Sequence, residues 1–407
     1  MRSNSSPTGS SAAIKAGAPI RILISAGEAS GENYGAMLIS ELRKLLGPDV
    51  QFFGVGGERM RAAGFEAVVD SAKVAAVGIT EVVKHIAGIY REFFRMVSVA
   101  KAKRADVAVL IDFPDFNLRL AGKLKEIGVP VVYFVSPQLW AWKQRRIWRV
   151  KKFVDRMLVI FPFEEDYYRQ RDVAAQYVGH PLADLPLPQV PRAAYAQQYG
   201  IDPDKHWIAL LPGSRRKEVL LNLPPMLASA RLMGSGYEYL VPVASTVERD
   251  WMAQLIAGSG VHLVEDARAA LLHARAGVVA SGTATVEATL IATPFIVVYR
   301  VSGLTFAIGK RLVKVKNYGM VNLIAGREIV PELIQHSFNP SNVIHHLNRL
   351  IPDGQARSQM IQELEGVRAR LNQVSTGPDE TAIGRAARAV VETMMSRKHA
   401  GTSVVEC

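Results

Sequence analysis

The sequence predicts an α/β protein made of two doubly wound domains that face one another across a cleft, and three observations carry that expectation. Its 407 residues exceed what one hydrophobic core accommodates. Short apolar runs alternate with helical patterns, as parallel βαβ units require. The alternation then begins afresh after a Pro-rich connector, Leu182-Ala-Asp-Leu-Pro-Leu-Pro-Gln-Val-Pro191. The predicted division is a tail over 1–18, a first domain over 19–185, a second over 186–340, terminal helices over 341–396 that pack back on the first domain, and a closing tail over 397–407.

Composition narrows the class. Hydrophobic residues make up 49% and charged residues 21%, which suits a folded globular chain. The single Cys is Cys407, so no internal disulfide forms and a reducing, cytoplasmic compartment is expected. Met1 to Ala18 is rich in Ser, Gly and Ala, lacks the apolar core of a signal peptide, and reads as a disordered tail. Charged residues interrupt every apolar stretch before the ~20 residues a membrane-crossing helix needs. The net charge of +12 and pI near 9.7 call for an anionic partner: nucleic acid, an acidic lipid surface or a phosphorylated substrate. Zinc-ligand spacing, an RNA-binding aromatic signature and a helix-turn-helix pattern are all missing, which weighs against nucleic acid.

In chain order, Pro19 to Ala26 reads as a first parallel strand. The small-residue turn Gly27-Glu-Ala-Ser-Gly31 follows, and then an amphipathic helix from Asn33 to Leu46. The glycine spacing is wrong for a dinucleotide fingerprint, and Glu28 and Ser30 are the polar groups such a turn presents to a ligand. Gln51 to Val55 is a second strand. Between Val74 and Val97 apolar residues recur at helical spacing, among them Ile79, Val82, Val83, Ile86, Ile89 and Phe93, with basic residues between them. That stripe has two readings, the core face of a helix or a surface that meets acyl chains while its basic residues meet anionic headgroups.

Asp106 to Ile111 is a further strand ending in Asp112-Phe-Pro-Asp-Phe-Asn117. Ligands of doubly wound sheets sit beyond the carboxyl ends of strands, so Asp112 is the candidate for chemistry, while Asp115 fits a cap for the helix expected near Asn117. Val129 to Val135 and Met157 to Phe161 are strands flanking Ser136-Pro-Gln-Leu-Trp-Ala-Trp142 and a basic run from Lys143 to Lys152. After the connector, strands are expected at Ile208–Leu211, Tyr239–Val243, Val261–Val264, Ala276–Ala280 and Phe295–Tyr299. The first of these opens at Pro212 onto Gly213, Ser214 and Arg215. There, outward amides and a forked guanidinium match the oxygens of a diphosphate, although a solvated basic turn would read the same. The fourth delivers Ser281, Gly282 and Thr283 to a helix N-terminus, where an anion is favoured. Glu287, one turn on, is placed for ribose hydroxyls. Asn317 to Glu328 reads as a polar loop whose Asn322 reaches into the cleft, and from Asn339-Pro340 to about Met395 the chain is helical.

Ala26-Gly-Glu-Ala-Ser-Gly31, Gly54-Val-Gly-Gly57, Asp112-Phe-Pro-Asp-Phe-Asn117, Val135-Ser-Pro-Gln-Leu-Trp-Ala-Trp142, Gly179-His-Pro181, Leu211-Pro-Gly-Ser-Arg215, Ser281-Gly-Thr-Ala284 and Asn322-Leu-Ile-Ala-Gly-Arg327 occur in this order. Collinear over that length, the chain resembles the lipid-A-disaccharide synthase family from about Ile20 to its terminal helices. Glu32 stands where the family more often has Asp, and Gly319-Met-Val precedes Asn322 where a Ser-Leu-Pro-like run is common. The resemblance implies an inverting glycosyltransferase of GT-B architecture, with two Rossmann-like domains. It would join UDP-2,3-diacylglucosamine to 2,3-diacylglucosamine 1-phosphate, giving the β-1,6 disaccharide 1-phosphate and UDP. It further implies a peripheral protein of the cytoplasmic face of the inner membrane, commonly a homodimer, needing no cofactor and no bound metal.

On that reading Asp112 is the general base, and Glu28, Ser30, Gly31, Gly213, Ser214, Arg215, Ser281, Gly282, Thr283, Glu287 and Asn322 are the substrate- and UDP-binding residues. His180, between Gly and Pro, is a packing or hinge residue before it is an alternative base. The rival readings are another GT-B enzyme of UDP-N-acetylglucosamine, such as the peptidoglycan lipid-intermediate transferase or a UDP-sugar epimerase, and, more remotely, a basic nucleic-acid-binding protein.

Overall fold

A computed structural model describes residues 19–74, 79–303, 306, 317–373 and 380–402, with the side chains of 79–86 and 398–402 outside that description. Among the described residues, two wholly parallel sheets hold the molecule together. The first has the order β3-β2-β1-β4-β5-β6-β7, with β1 Arg21–Ala26, β2 Gln51–Gly56, β3 Phe65–Asp70, β4 Val107–Ile111, β5 Val131–Phe134, β6 Arg156–Val159 and β7 Ala175–Tyr177. The second has the order β10-β9-β8-β11-β12-β13, with β8 His206–Leu211, β9 Tyr237–Pro242, β10 His262–Val264, β11 Ala276–Ala280, β12 Phe295–Tyr299 and β13 Glu332–Ile334. Each sheet thus winds outward in both directions from its first strand, as the sequence predicts.

Parallel strands need helical crossovers, which cover both faces and demand apolar residues throughout. Every residue of β4 is buried for that reason. Along β1 the sides alternate: Ile22 and Ile24 pack beneath the helix Ala29–Leu46, while Leu23 faces Phe93, Met96 and Ala100 of the helix Ile79–Lys103. The helices Pro114–Glu126 and Ile147–Phe153 lie on that second face beside Ile79–Lys103.

The three terminal helices part company. Pro340–Leu350 stays on the second domain, against the helix Arg216–Met233 and β12, and Gln355–Asn372 lies on the helix Thr283–Ile291. Ala382–Thr402 returns to the first sheet and packs along Ala29–Leu46, and Tyr177 Oη of β7 donates to Leu371 O near the end of Gln355–Asn372 at 2.7 Å. Arg385 Nε donates to Val178 O at 2.8 Å, the Ala382 amide to Asp184 at 2.6 Å, and Arg156 bonds Glu392 at 2.7 Å. One cluster of buried apolar residues consequently runs through both sheets.

Three strands escape a reading of apolar runs: β3, β7 and β13. All are sheet edges, and β3 is partly exposed with a mixed burial pattern, so hydrophobicity does not mark them. The expected polar loop around Asn322 contains a short helix, Met320–Ala325.

Candidate active site

Strand order reverses between β1 and β4 in the first sheet and between β8 and β11 in the second. Both crevices so created are ligand sites in open α/β sheets, and the turns after β1, β4, β8 and β11 singled out above lie at them. The two meet: Arg215 Nη2 of the second domain bonds Glu28 Oε2 of the first at 2.7 Å, and Arg59 Nη2 reaches Ser245 Oγ at 3.1 Å. Gly27 is glycine because the Phe113 ring lies over it; a Cβ there would stand 2.4 Å from the ring.

Asp112 follows β4 in the left-handed region, φ 46°, and Phe113 comes next at φ 50°. Consecutive non-glycine residues in this conformation cost about 1–3 kcal/mol each and need to be held. The Asp112 carbonyl is held twice, by Tyr133 Oη at 2.6 Å and Asn117 Nδ2 at 2.8 Å. Asn117, wholly buried, also donates to Ile111 O at 3.1 Å and accepts from Ser25 Oγ at 2.7 Å. The turn so held keeps the carboxyl within the fields of Glu28 and Arg215. Burial, reinforced by the Glu28 charge, raises its pKa from 3.8 to about 7, with the Phe113 amide and Arg215 pulling the other way. Nothing in the sequence marks Tyr133 and Ser25 as functional, and the one signal for Asn117 is that it closes the Asp-Phe-Pro-Asp-Phe-Asn motif. Asp115 is not a cap, since the helix begins at Pro114 with Phe113 as its N-cap; it pairs instead with Arg146 and Lys143.

After β8, Gly213 adopts φ 122° with the Glu218 carboxylate against its α-carbon. Ser214 N and Arg215 N both donate to Glu218 Oε2, at 3.1 and 3.3 Å, and Arg215 Nη1 donates to Oε1 at 3.1 Å. The amides expected to be free for a diphosphate are therefore engaged by an internal carboxylate, so Glu218 stands in for the anion. In the sequence Glu218 is indistinguishable from an ordinary first-turn acid of the helix Arg216–Met233.

Facing this turn, the helix Thr283–Ile291 starts from Gly282 at φ 151° with no side-chain cap. Neither Ser281 nor Thr283 caps it, because Ser281 Oγ donates to Tyr318 O at 3.0 Å. Its first amides are left for an anion. Glu287 is half-buried, with its pKa raised by burial against the opposing pull of Arg268, and its field reaches Tyr34 of the first domain. Ser30 is half-buried in the first turn of Ala29–Leu46, and Gly31 is buried against Ile111.

Asn322 corrects the expectation made of it. It is fully buried, not in the cleft: Nδ2 donates to Val330 O and Glu332 Oε1, both at 2.8 Å, and Oδ1 accepts from Ile329 N at 2.8 Å and Val330 N at 3.0 Å. With its amide saturated it ties Met320–Ala325 to β13 and has nothing left for substrate. His180 is also interior; burial pushes its pKa down to about 3, and Nδ1 accepts from Leu182 N at 3.2 Å.

Of the acyl-contact candidates, Ile79, Val82, Val83 and Ile86 have side chains outside the described residues. Ile89 is half-buried, and Phe93 is core, edge-on to Phe116 with ring centroids 5.4 Å apart. Its neighbours Tyr90 and Phe94 are the exposed residues, at 45% and 56%, together with Trp148 at 51% on the adjacent Ile147–Phe153 helix. No helix among the described residues is long and apolar enough to cross a membrane, and none of their His, Cys, Asp and Glu side chains form a group of three or more suited to a metal ion.

Comparison with known proteins agrees with this geometry. A family model described as lipid-A-disaccharide synthetase matches residues 22–384. The lipid-A-disaccharide synthase of Koribacter versatilis is 52% identical over 376 residues, covering 91% of this chain and 98% of the relative. That of Acidobacterium capsulatum is 50% identical, covering 92% and 97%. Among solved structures, the calicheamicin glycosyltransferase aligns with a TM-score of 0.57 at 16% identity, over 93% of this chain and 99% of that one. The UDP-GlcNAc 2-epimerase of Neisseria meningitidis bound to UDP-GlcNAc aligns with a TM-score of 0.58 at 13% identity, over 93% and 100%. At those identities the structures speak for the GT-B fold alone. The match along nearly the whole chain to the family model and to close relatives decides the assignment: this chain belongs to the lipid-A-disaccharide synthase family of glycosyltransferases.

Proposed function

We propose that the protein transfers the diacylglucosaminyl group of UDP-2,3-diacylglucosamine to the 6-hydroxyl of 2,3-diacylglucosamine 1-phosphate with inversion, giving the β-1,6 disaccharide 1-phosphate and UDP. The observation that carries it is the Glu28–Arg215 contact at 2.7 Å, which brings the Asp112 turn and the Arg215 turn into one crevice. Asp112, with a pKa near 7, takes the hydroxyl proton as general base. The freed oxygen attacks the anomeric carbon from the face opposite the diphosphate. The carbon–oxygen bond to the diphosphate breaks, and its electron pair leaves with UDP. Arg215, the Ser214 and Arg215 amides and the open N-terminus beginning at Thr283 receive the charge that develops there. Glu218 has to yield its place to the diphosphate for this, and Glu287 is left to meet the ribose.

Both substrates carry acyl chains, and the exposed Tyr90, Phe94 and Trp148, with Arg91, Arg95 and Arg149 around them, support docking on the anionic cytoplasmic face of the inner membrane. The test is turnover of the purified chain on the two acylated substrates, following UDP and disaccharide together. Asp112→Asn should lose roughly 10²–10⁴-fold in turnover while still binding UDP. Equal use of unacylated UDP-N-acetylglucosamine would overturn the substrate assignment, and near-normal turnover of Asp112→Asn would move the base elsewhere.

A further inference from the structure

The crevice lies at the carboxyl ends of the second sheet. At the opposite, amino end, a separate cavity of about 370 Å³ opens beside the starts of β8 and β11. Six-residue β8 separates it from the Arg215 turn by about 17 Å at ~3.3 Å per residue. Its lining includes Arg192, Lys205, His206, Trp207, Arg275 and Arg357, against one carboxylate, Asp204. Two of the cations are neutralised nearby, Lys205 by Glu238 at 2.9 Å and Arg275 by Asp353. The other two form no ion pair among the described residues, although the Asp353 carboxylate also acts on Arg357. Arg192 spends its hydrogen bonds on the carbonyls of Pro203 at 3.2 Å, Lys205 at 2.8 Å and His273. Arg357 Nη1 spends its own on the carbonyls of Leu350 at 3.0 Å and Arg275.

Carbonyl oxygens orient a guanidinium without cancelling its charge. Both groups are therefore fixed in place, positive and partly desolvated, and burial lowers the pKa of each. Arg192 is held further by lying 3.7 Å from the centroid of the wholly buried Trp207 ring. A concave surface with two planar forks held by carbonyl oxygens rather than by bonded carboxylates matches the oxygens of a phosphate better than it matches any neutral ligand.

We propose that this cavity is a second anion site that takes a phosphate or diphosphate group, separate from the crevice that holds the diphosphate of the sugar donor. The group arrives either in solution or on a lipid headgroup; the chemistry recognised is the same. The full-length protein, its crevice saturated with UDP, is titrated with inorganic pyrophosphate by calorimetry, and Trp207 at the cavity wall gives a fluorescence readout of the same event. Saturable binding is expected, weakened about tenfold or more in Arg357→Gln, which loses one charge-assisted contact, and in Lys205→Glu, which sets a repelling carboxylate at the rim of the cavity. Turnover and far-UV circular dichroism should stay unchanged. Competition by phosphatidic acid vesicles, with none by phosphatidylcholine vesicles, assigns the site to a lipid phosphate; no competition by either assigns it to a soluble one. Should Arg357→Gln fail to fold, Lys205→Glu, at the partly exposed rim, decides alone. No saturable binding to the UDP-filled wild type, or undiminished affinity in the folded variants, overturns the proposal.

Discussion

Replacing Asp112 by Asn should make the protein more stable at pH 8 while removing its activity. The native carboxyl has its pKa raised from 3.8 to about 7. At 1.36 kcal/mol per pH unit, that difference is worth about 4 kcal/mol against ionisation in the folded state. Because the folded value lies above the unfolded one, protonation favours folding: the stabilisation is complete below about pH 4 and is gone above about pH 7. At pH 8 the wild type therefore carries an ionised carboxylate in a site that resists it. An amide of the same shape does not. Asp112 is only half-buried, so solvent screening reduces that figure, and a gain of about 1–3 kcal/mol and a rise of a few °C in Tm are expected. Asn also tolerates the left-handed backbone that Asp112 adopts at φ 46°, which adds a constant gain at every pH. Thermal unfolding of both proteins at pH 5 and pH 8 separates the two: only the ionisation part grows between them. The same pKa puts the acid limb of kcat/KM near pH 7, and Glu28→Gln should move it downward, since the Glu28 charge helps to raise it. A stability difference equal at both pH values, or an acid limb near pH 4, would refute the reasoning.

Glu218→Gln keeps an acceptor for the Ser214 and Arg215 amides but removes a negative charge from the place assigned to the diphosphate, so UDP should bind severalfold tighter, by roughly 1 kcal/mol; weaker binding in equilibrium titration would show that Glu218 aids the nucleotide. Asn322→Leu strips four hydrogen bonds from a buried site and should cost about 3 kcal/mol of stability in denaturant unfolding, leaving KM for both substrates unchanged in the protein that remains folded. Phe93→Ser should destabilise the first domain by about 3 kcal/mol, whereas Phe94→Ser together with Trp148→Ser should spare stability and weaken binding to anionic vesicles; the reverse pattern would put the docking face elsewhere.

Much of the molecule is legible in the order of its residues. Continuous apolar runs such as Val107–Ile111 have one common use, a strand buried on both faces, and turns rich in Gly, Ser and Pro after them mark the ends where ligands gather. That local chemistry is enough for two parallel sheets, the positions of the Asp112 and Arg215 turns, and the family. What it leaves open depends on partners distant in the chain. Asn322 is tied to β13 because Val330 and Glu332 fold over it, Phe93 differs from Phe94 only by the ~100° that separates neighbours around a helix, and the Arg215 turn meets Glu28 across a sequence separation of 187. A hydrogen-bonding group or an aromatic ring carries the same letter whether it is spent inside the fold or offered to a ligand; only the packed structure, by bringing every competing donor, acceptor and surface within reach, decides which.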